Sequence, residues 1–221
     1  MIKAAIFDFN GTLINDDDLN YKSWKKTYEM ILGTEEGFKD VVNEILSVKN
    51  DINIKKLFAM KGIEADRQMM DEWSHQKETF YHEITLEEKR DQLIEGAEEL
   101  LNYLKENNIP VMMATASIKY NVDFYFDVYK LDKWFNKDTI VYDDLSYADK
   151  KEMYLEALRR LNLSGEDVIL FDDSHHSLTN GIKAGIKTVV RLNPMHKPKM
   201  ANPEIKQEIS NFKELDYSIF K

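Results

Sequence analysis

Two kinds of hydrophobic pattern divide the chain into a helical block and a mixed region. Between residues 15 and 90, apolar residues recur every three or four positions, which is the spacing of amphipathic helices and not of strands. The clearest of these helices has its apolar side chains at Phe38, Val41, Val42, Ile45 and Leu46. Similar spacing predicts further helices around residues 19–31, 54–58 and 70–84. We therefore expect the whole block to contain helices and no strand.

Outside this block, short apolar runs alternate with helical patterns. The runs that predict buried strands cover residues 2–7, 111–117, 139–142, 167–171 and 186–192. Helical patterns lie around residues 93–104, 118–130, 149–162, after residue 172, and at 204–214. Strands that alternate with helices form a right-handed parallel sheet. We predict an α/β fold: a Rossmann-like parallel sheet core of residues 1–14 and 91–221, with residues 15–90 inserted as an α-helical cap domain.

The composition narrows the possible functions. With 40 acidic and 30 basic residues the net charge is −10, so we expect no nucleic-acid partner, because no basic surface is available to displace counterions. The absence of cysteine excludes disulfides, zinc–thiolate sites and cysteine nucleophiles. No apolar run approaches the ~18 residues of a membrane helix, and the first residues have no signal-peptide pattern. These features predict a soluble cytoplasmic protein with no membrane partner.

Polar side chains stand where the predicted strands end. Ligands of an open parallel sheet bind outside the carboxyl ends of its strands. Those ends, together with the start of the helix at residue 149, supply carboxylates, hydroxyls and lysines at Asp8, Thr115, Ser117, Lys150, Lys151, Asp172 and Asp173. Because clustered carboxylates repel one another, such a group needs a metal cation or a lysine to neutralise it.

Each of these residues, taken singly, also has a purely structural explanation. Aspartate, serine and threonine end strands and cap helices, and a lysine is usually a solvated surface charge. The neighbouring His175 and His176 are a poor zinc site, because adjacent helical residues point about 100° apart and two histidines are too few ligands. It is the convergence of several polar residues on ordered strand ends that favours a functional site.

The segments "DFNGTL", "MMATAS" and "LFDDS", with a lysine before the last, resemble the haloacid dehalogenase-like (HAD) superfamily. The resemblance is to the helical-cap group that includes β-phosphoglucomutase and phosphoglycolate phosphatase. It implies that Asp8 is the nucleophile that attacks phosphorus and that Thr115 binds the transferring phosphoryl group. It also implies a lysine that neutralises both, which is Lys150 or Lys151, and we favour Lys150.

The same resemblance implies a Mg²⁺ cofactor and a set of substrate contacts. The metal would be held by oxygen atoms of Asp8, Asn10, Asp172 and Asp173, with Asn10 using its backbone carbonyl. Oxygen donors of this kind suit Mg²⁺. Substrate binding is assigned to Gly11, Thr12, Ala116, Ser117 and, from the last cap helix, Lys77. For Lys77 the alternative is one more charge on a helical surface.

Residue 10 departs from the family pattern. The phosphatases of this family usually carry a second aspartate at this position, which serves as general acid and base. Asn10 keeps the carbonyl that binds the metal but cannot carry a proton, and general acid–base catalysis is worth roughly 10²–10⁴ in rate. A histidine of the mutase proton relay is replaced by Asn20, so we expect no mutase activity.

The prediction is a Mg²⁺-dependent HAD-type phosphatase that hydrolyses a small phosphorylated metabolite through an aspartyl phosphate, with activity attenuated by Asn10. The alternative is a non-catalytic relative that binds or senses a phosphorylated ligand in the same pocket. The Asp172-Asp173 pair speaks against metal-independent dehalogenation, and a G-x-G-x-x-G fingerprint for dinucleotides is absent. The sequence leaves the oligomeric state open, and we favour a monomer.

Overall fold

The protein divides into two compact units. The computed structural model describes residues 1–46, 48–196, 198 and 202–221. One unit, here called the core unit, combines Met1–Asn15 with Gln92–Lys221, and the other, the helical unit, is Asp16–Asp91. None of the helices in the described ranges is both long enough and apolar enough to span a membrane.

A six-stranded sheet forms the centre of the core unit. Its strands are β1 (Ala4–Phe7), β2 (Val111–Ile118), β3 (Val141–Asp143), β4 (Val168–Asp172), β5 (Thr188–Leu192) and β6 (Ile205–Ile209). Their order is β3-β2-β1-β4-β5-β6, and all neighbouring strands are parallel. The central strand β1 is entirely buried between β2 and β4, so the residues that follow these three strands meet at one edge. The predicted α/β class is confirmed.

The described residues of the helical unit form four helices: α1 (Asp17–Leu32), α2 (Phe38–Ile45), α3 (Asn50–Met60) and α4 (Arg67–Glu87). Their apolar faces bury a shared cluster that includes Trp24, Tyr28, Phe38 and Leu57. Helix α4 begins after Asp66, whose side chain accepts a hydrogen bond from the Met69 N–H and so caps the helix. No strand occurs among the described residues of this unit, as the periodicity predicted.

Four longer helices cover the sheet of the core unit: α5 (Ala97–Glu106), α6 (Lys119–Tyr129), α7 (Lys150–Leu161) and α8 (His175–Lys183). Short 3-10 helices follow at Leu131–Lys133, Lys137–Thr139, Phe212–Glu214 and Tyr217–Phe220. Helix α8 packs closely on β4, because a Cβ atom on Gly181 would lie 2.3 Å from Leu170 Cδ2. This contact fixes the short connection between β4 and α8, where the predicted site residue Asp173 lies directly after Asp172.

The prediction of a helix at 204–214 is wrong. A sixth strand follows the strand that was predicted at 186–192. The segment forms β6, followed by the 3-10 helix Phe212–Glu214, which Asn211 caps through its side chain. Apolar residues at Ile205 and Ile209 are four apart and fit a helical face as well as one face of a strand. The open edge of β5 decides between them, because Leu192 pairs with Ile209 and the backbone groups of β5 find partners on β6.

Two predicted boundaries also shift. The strand predicted at 139–142 covers Val141–Asp143, because Lys137–Thr139 forms a 3-10 turn capped by the Asn136 side chain. The helix predicted from Leu93 begins at Ala97, after Gly96 with φ +81°. The residues before it extend along the core, where the Ile94 N–H donates to the Leu13 carbonyl.

Candidate active site

The loop after β1 brings backbone N–H groups and a glycine to the sheet edge. The N–H groups of residues 12–14 all point back at the Phe9 carbonyl, at 2.8–3.2 Å, and this closes a tight turn. Gly11 has φ +72°, and a Cβ atom there would lie 2.6 Å from Asp173 Cγ. The loop therefore needs glycine for its backbone conformation and for the close approach of the Asp173 carboxylate.

Asp8 lies directly beyond β1 and is paired with a buried lysine. Lys150 Nζ donates to Asp8 Oδ1 at 2.8 Å and to the Ala114 carbonyl at 2.8 Å. Burial opposes the positive charge of Lys150, but Asp8 and Asp172 outweigh it, so the pKa of Lys150 is raised and the ammonium persists. Lys150, and not Lys151, is the lysine that contacts Asp8. It is the first residue of α7, whose N-cap is Asp149.

Asp172, at the end of β4, is fully buried and held at both oxygen atoms. Its Oδ2 accepts from the Tyr154 hydroxyl at 2.6 Å, and its Oδ1 accepts from the Ser174 N–H at 2.9 Å. Burial and the neighbouring Asp8 charge raise the pKa of Asp172 to about 7, although Lys150 opposes this from 3.7 Å. Burial, Asp172 and Asp8 raise the pKa of Tyr154 well above its usual value, so Tyr154 stays a hydrogen-bond donor.

The carboxylates of Asp8, Asp172 and Asp173 form one acidic group. An oxygen atom from each lies within 4.8 Å of the other two. Three oxygen donors at this spacing match the ligand type that Mg²⁺ prefers, and one lysine beside three carboxylates leaves negative charge for a cation to neutralise. The geometry and charge of this group fit the divalent cation that the sequence predicts.

The side chains of Asn10, Ser117 and Tyr125 form a second group beside the first. Asn10 Nδ2 donates to the Tyr125 hydroxyl at 3.0 Å, and Ser117 Oγ donates to Asn10 Oδ1 at 2.8 Å. The hydroxyls of Ser117 and Tyr125 are 3.3 Å apart. The Ser117 N–H also donates to Thr115 Oγ1 at 3.2 Å, which places the predicted phosphoryl-binding hydroxyl at the same strand end.

Three predicted substrate contacts have different surroundings. Ala116 is exposed at the end of β2. Thr12 is fully buried, and its hydroxyl has no hydrogen-bond partner among the described residues. Lys77 belongs to α4 of the helical unit and is 5% exposed, so it is not the surface charge of the alternative explanation. Its ammonium pairs with Glu78 at 3.1 Å and lies 5.5 Å from the Trp24 ring centre.

The family of the protein follows from comparison with known proteins. The family model of the haloacid dehalogenase-like hydrolases matches residues 2–185. The chain belongs to this family. The predicted superfamily and the predicted hydrolase class are thereby confirmed.

Individual relatives of this HAD-like hydrolase cover nearly its whole length. Pyrophosphatase PpaX from Halalkalibacterium halodurans is 25% identical over 189 residues, which are 86% of this chain and 83% of the relative. A HAD hydrolase of family IA, variant 3, from Entamoeba histolytica superposes with a TM-score of 0.82 and 27% identity, over 99% of this chain and 97% of that chain.

A more distant structure agrees in fold. A mutant of CbbY from Rhodobacter sphaeroides, in complex with xylulose-(1,5)bisphosphate, is 19% identical with a TM-score of 0.76 over 100% of both chains. At this level of identity the similarity concerns the fold alone. It confirms the Rossmann-like architecture of this HAD-like hydrolase.

The structure adds site residues that sequence reasoning missed. Tyr154 lies four residues after Lys150 on α7, so the helical period alone could have placed both on one face. Arg191, near the end of β5, donates from Nε to the Asp173 carbonyl at 3.3 Å and pairs with Glu208 of β6 at 3.2 Å. Tyr125 carried no such signal, because its contact with Asn10 depends on how α6 packs.

Proposed function

We propose that this HAD-like hydrolase is a Mg²⁺-dependent phosphatase of small phosphorylated metabolites, with Asp8 as its nucleophile. The observation that carries the proposal is the surroundings of Asp8. It lies at the centre of the sheet edge, 2.8 Å from the buried Lys150 ammonium and within one acidic group with Asp172 and Asp173. A relative named as a pyrophosphatase supports a phosphorylated substrate.

Residues of the core unit can supply the nucleophile, the neutralising charge and a phosphoryl contact. An Asp8 oxygen forms a bond to phosphorus while the bond between phosphorus and the leaving oxygen breaks. Lys150 keeps its charge next to this carboxylate and offsets its repulsion from the phosphate. The Thr115 hydroxyl can donate a hydrogen bond to a phosphoryl oxygen.

The metal site is proposed at Asp8, Asp173 and the Asn10 carbonyl. Both oxygens of Asp172 already accept hydrogen bonds, from Tyr154 and Ser174, so Asp172 orients the site or a metal-bound water. Mg²⁺ bound there supplies positive charge against the carboxylates and the phosphate. Gly11 leaves the space in which the Asp173 carboxylate approaches the loop.

Asn10 limits the range of substrates. Its amide, held by Ser117 and Tyr125, cannot donate a proton to a leaving oxygen or take one from the attacking water. Leaving groups that are weak bases depart without a proton. We therefore propose that acyl phosphates and phosphoanhydrides, including inorganic pyrophosphate, react faster than sugar phosphates.

Phosphate release tests this proposal. Purified protein is given acetyl phosphate, pyrophosphate or a sugar phosphate, with Mg²⁺ or with a chelator, beside an Asp8→Asn variant. We expect Mg²⁺-dependent release from the first two that is lost in Asp8→Asn. Equal release by Asp8→Asn would contradict the assignment of the nucleophile.

The second candidate function is a non-catalytic phosphate-binding protein, and the amide at residue 10 is the observation that favours it. A distinct result would support this candidate. Neither the natural protein nor an Asn10→Asp variant would release phosphate from any of the three substrates, whereas calorimetry would detect binding of inorganic phosphate that depends on Mg²⁺.

A further inference from the structure

The side chains of Asn10, Ser117 and Tyr125 form a closed ring of hydrogen bonds. Asn10 Nδ2 donates to the Tyr125 hydroxyl at 3.0 Å. The Tyr125 hydroxyl lies 3.3 Å from both Ser117 Oγ and Asn10 Oδ1 and can donate its proton to either, and Ser117 Oγ donates to Asn10 Oδ1 at 2.8 Å. The three side chains are therefore all linked to one another, an arrangement in which hydrogen bonds strengthen one another. Exchanging the amide nitrogen and oxygen reverses the direction of the ring but leaves it closed.

The ring is anchored by aromatic packing. Tyr125 is 1% exposed, and its ring stacks on Phe9 with centroids 4.2 Å apart and an interplanar angle of 26°. Tyr129, one turn later on α6, meets the same Phe9 edge-on at 5.5 Å. The Tyr125 hydroxyl therefore has a fixed position, and it in turn fixes the side chain of Asn10.

Asn10 is followed by Gly11, and this dipeptide is chemically labile. The backbone nitrogen of Gly11 can attack Cγ of Asn10, the carbon of its side-chain amide. The amide nitrogen then leaves as ammonia, taking up the proton that the Gly11 nitrogen loses, and a cyclic succinimide remains. Water opens the succinimide to aspartate or isoaspartate. The net reaction consumes one water and needs no other reactant.

We infer that Tyr125 is a positioning residue that, through this ring, preserves residue 10 as an amide. Attack by the Gly11 nitrogen brings it and Asn10 Cγ from non-bonded contact to bonding distance, so the side chain must move, and the hydrogen bonds of the ring resist that movement. Both polar atoms of the amide are held by the ring. The ring thus controls whether the protein has an amide or a carboxylate at the position where its family relies on a proton carrier.

The chain contains a natural internal reference. Asn180-Gly181 is a second Asn-Gly dipeptide, and it lies within α8. Its amide contacts His176 Nε2 at 3.0 Å, and it lies on α8, an element that carries no member of the ring. A general loosening of the core unit would speed deamidation at both dipeptides, whereas opening of the ring affects residue 10 alone.

Peptide mapping of the aged, metal-free protein tests the inference. Conversion of Asn10 and of Asn180 to aspartate or isoaspartate is followed over time at mildly alkaline pH. The proteins compared are the natural chain, Tyr125→Phe, which keeps the stacking on Phe9, and Ser117→Ala, which opens the ring from its other side. Tyr103→Phe, which removes a hydroxyl from a half-buried tyrosine elsewhere in the core unit, is the matched control.

We expect Asn10 to convert about 2- to 10-fold faster in Tyr125→Phe and in Ser117→Ala, the range that one net hydrogen bond corresponds to. The double variant, which removes both side chains that hold the amide, should convert at least as fast as either single variant, and Asn180 and the Tyr103→Phe protein should keep the natural rates. An unchanged Asn10 rate in Tyr125→Phe and Ser117→Ala, or equal acceleration at both dipeptides, would overturn the inference. Deamidation needs no substrate or metal, so the result is independent of the proposed phosphatase activity.

Discussion

At residue 10, an amide lies in the site that we propose performs phosphoryl transfer. Asp8 and Lys150 are paired at 2.8 Å, and the acidic group lies beside them. In this proposal the attacking carboxylate and its neutralising charge are present, and only the proton carrier at residue 10 is replaced. The expected defect is therefore in the protonation steps and not in phosphate binding.

Replacing Asn10 with aspartate should restore those steps. We predict that Asn10→Asp raises turnover of sugar phosphates by up to about 10²–10⁴, the usual worth of general acid–base catalysis, and raises turnover of acetyl phosphate less. Steady-state kinetics on both substrates, with intact mass recorded to exclude deamidated natural protein, provides the measurement. Equal turnover of sugar phosphates by the two proteins would show that residue 10 does not limit the chemistry.

Gly11 allows a second test at single-residue resolution, because Gly62 is a matched control. Both have positive φ, +72° and +73°, but a Cβ atom on Gly62 meets nothing within 4 Å, whereas one on Gly11 would overlap Asp173. Alanine in this backbone conformation costs roughly 1–2 kcal/mol. We predict this cost alone for Gly62→Ala. We expect a larger loss of stability, with loss of Mg²⁺ binding, for Gly11→Ala, as measured by chemical unfolding and calorimetry. Equal losses of stability in the two variants would mean that the Asp173 side chain can move away from the added Cβ atom without cost.

At the scale of elements, α7 links the site to the surface. Its first turn supplies Lys150, and its second half carries an ion-pair group in which the half-buried Glu156 contacts the exposed Arg159 and Arg160, at 2.6 and 2.7 Å. Hydrogen bonds from the two arginines lower the pKa of Glu156 to about 2. A depressed carboxyl pKa stabilises the folded state above the unfolded pKa, and this stabilisation is lost as the pH falls towards the folded value.

We predict that Glu156→Gln lowers the free energy of unfolding at pH 7 by less than about 1 kcal/mol, because both arginines are exposed and solvent screens ion pairs at the surface. The difference between the two proteins should shrink as the pH falls from about 4.5, near the ordinary glutamate pKa, towards 2. Urea unfolding at several pH values checks this. A difference that stays constant down to pH 2 would assign the effect to helix packing instead of charge.

The way in which the elements pack explains which features of the fold and site the sequence could predict and which it could not. Strand ends in a parallel sheet share one edge whatever the packing details, so Asp8, Thr115 and Asp172 could be grouped from the pattern of apolar runs alone. The strand β6 could not be predicted, since Ile205 and Ile209 suit either a helix or a strand and the open edge of β5 decides. The contact of Tyr125 with Asn10 could not be predicted either, because it depends on the rotation of α6 against the sheet.

At the scale of the whole molecule, we propose that Asp8 acquires a phosphoryl group and then loses it slowly. The water that must attack the aspartyl phosphate would meet an amide, and not a base, at residue 10. Loss of the phosphoryl group is thus slowed more than its transfer to Asp8. The phosphorylated protein should therefore accumulate during turnover.

The most direct test is the intact mass of the protein after incubation with acetyl phosphate and Mg²⁺, followed by an acid quench. We predict the added mass of one phosphoryl group on the natural protein and none on Asp8→Asn. The phosphorylated fraction should be lower for Asn10→Asp, which should turn over faster. Peptide mapping should place the group on Asp8. An unmodified natural protein under conditions in which it releases phosphate, or a phosphoryl group that persists on Asp8→Asn, would contradict the account.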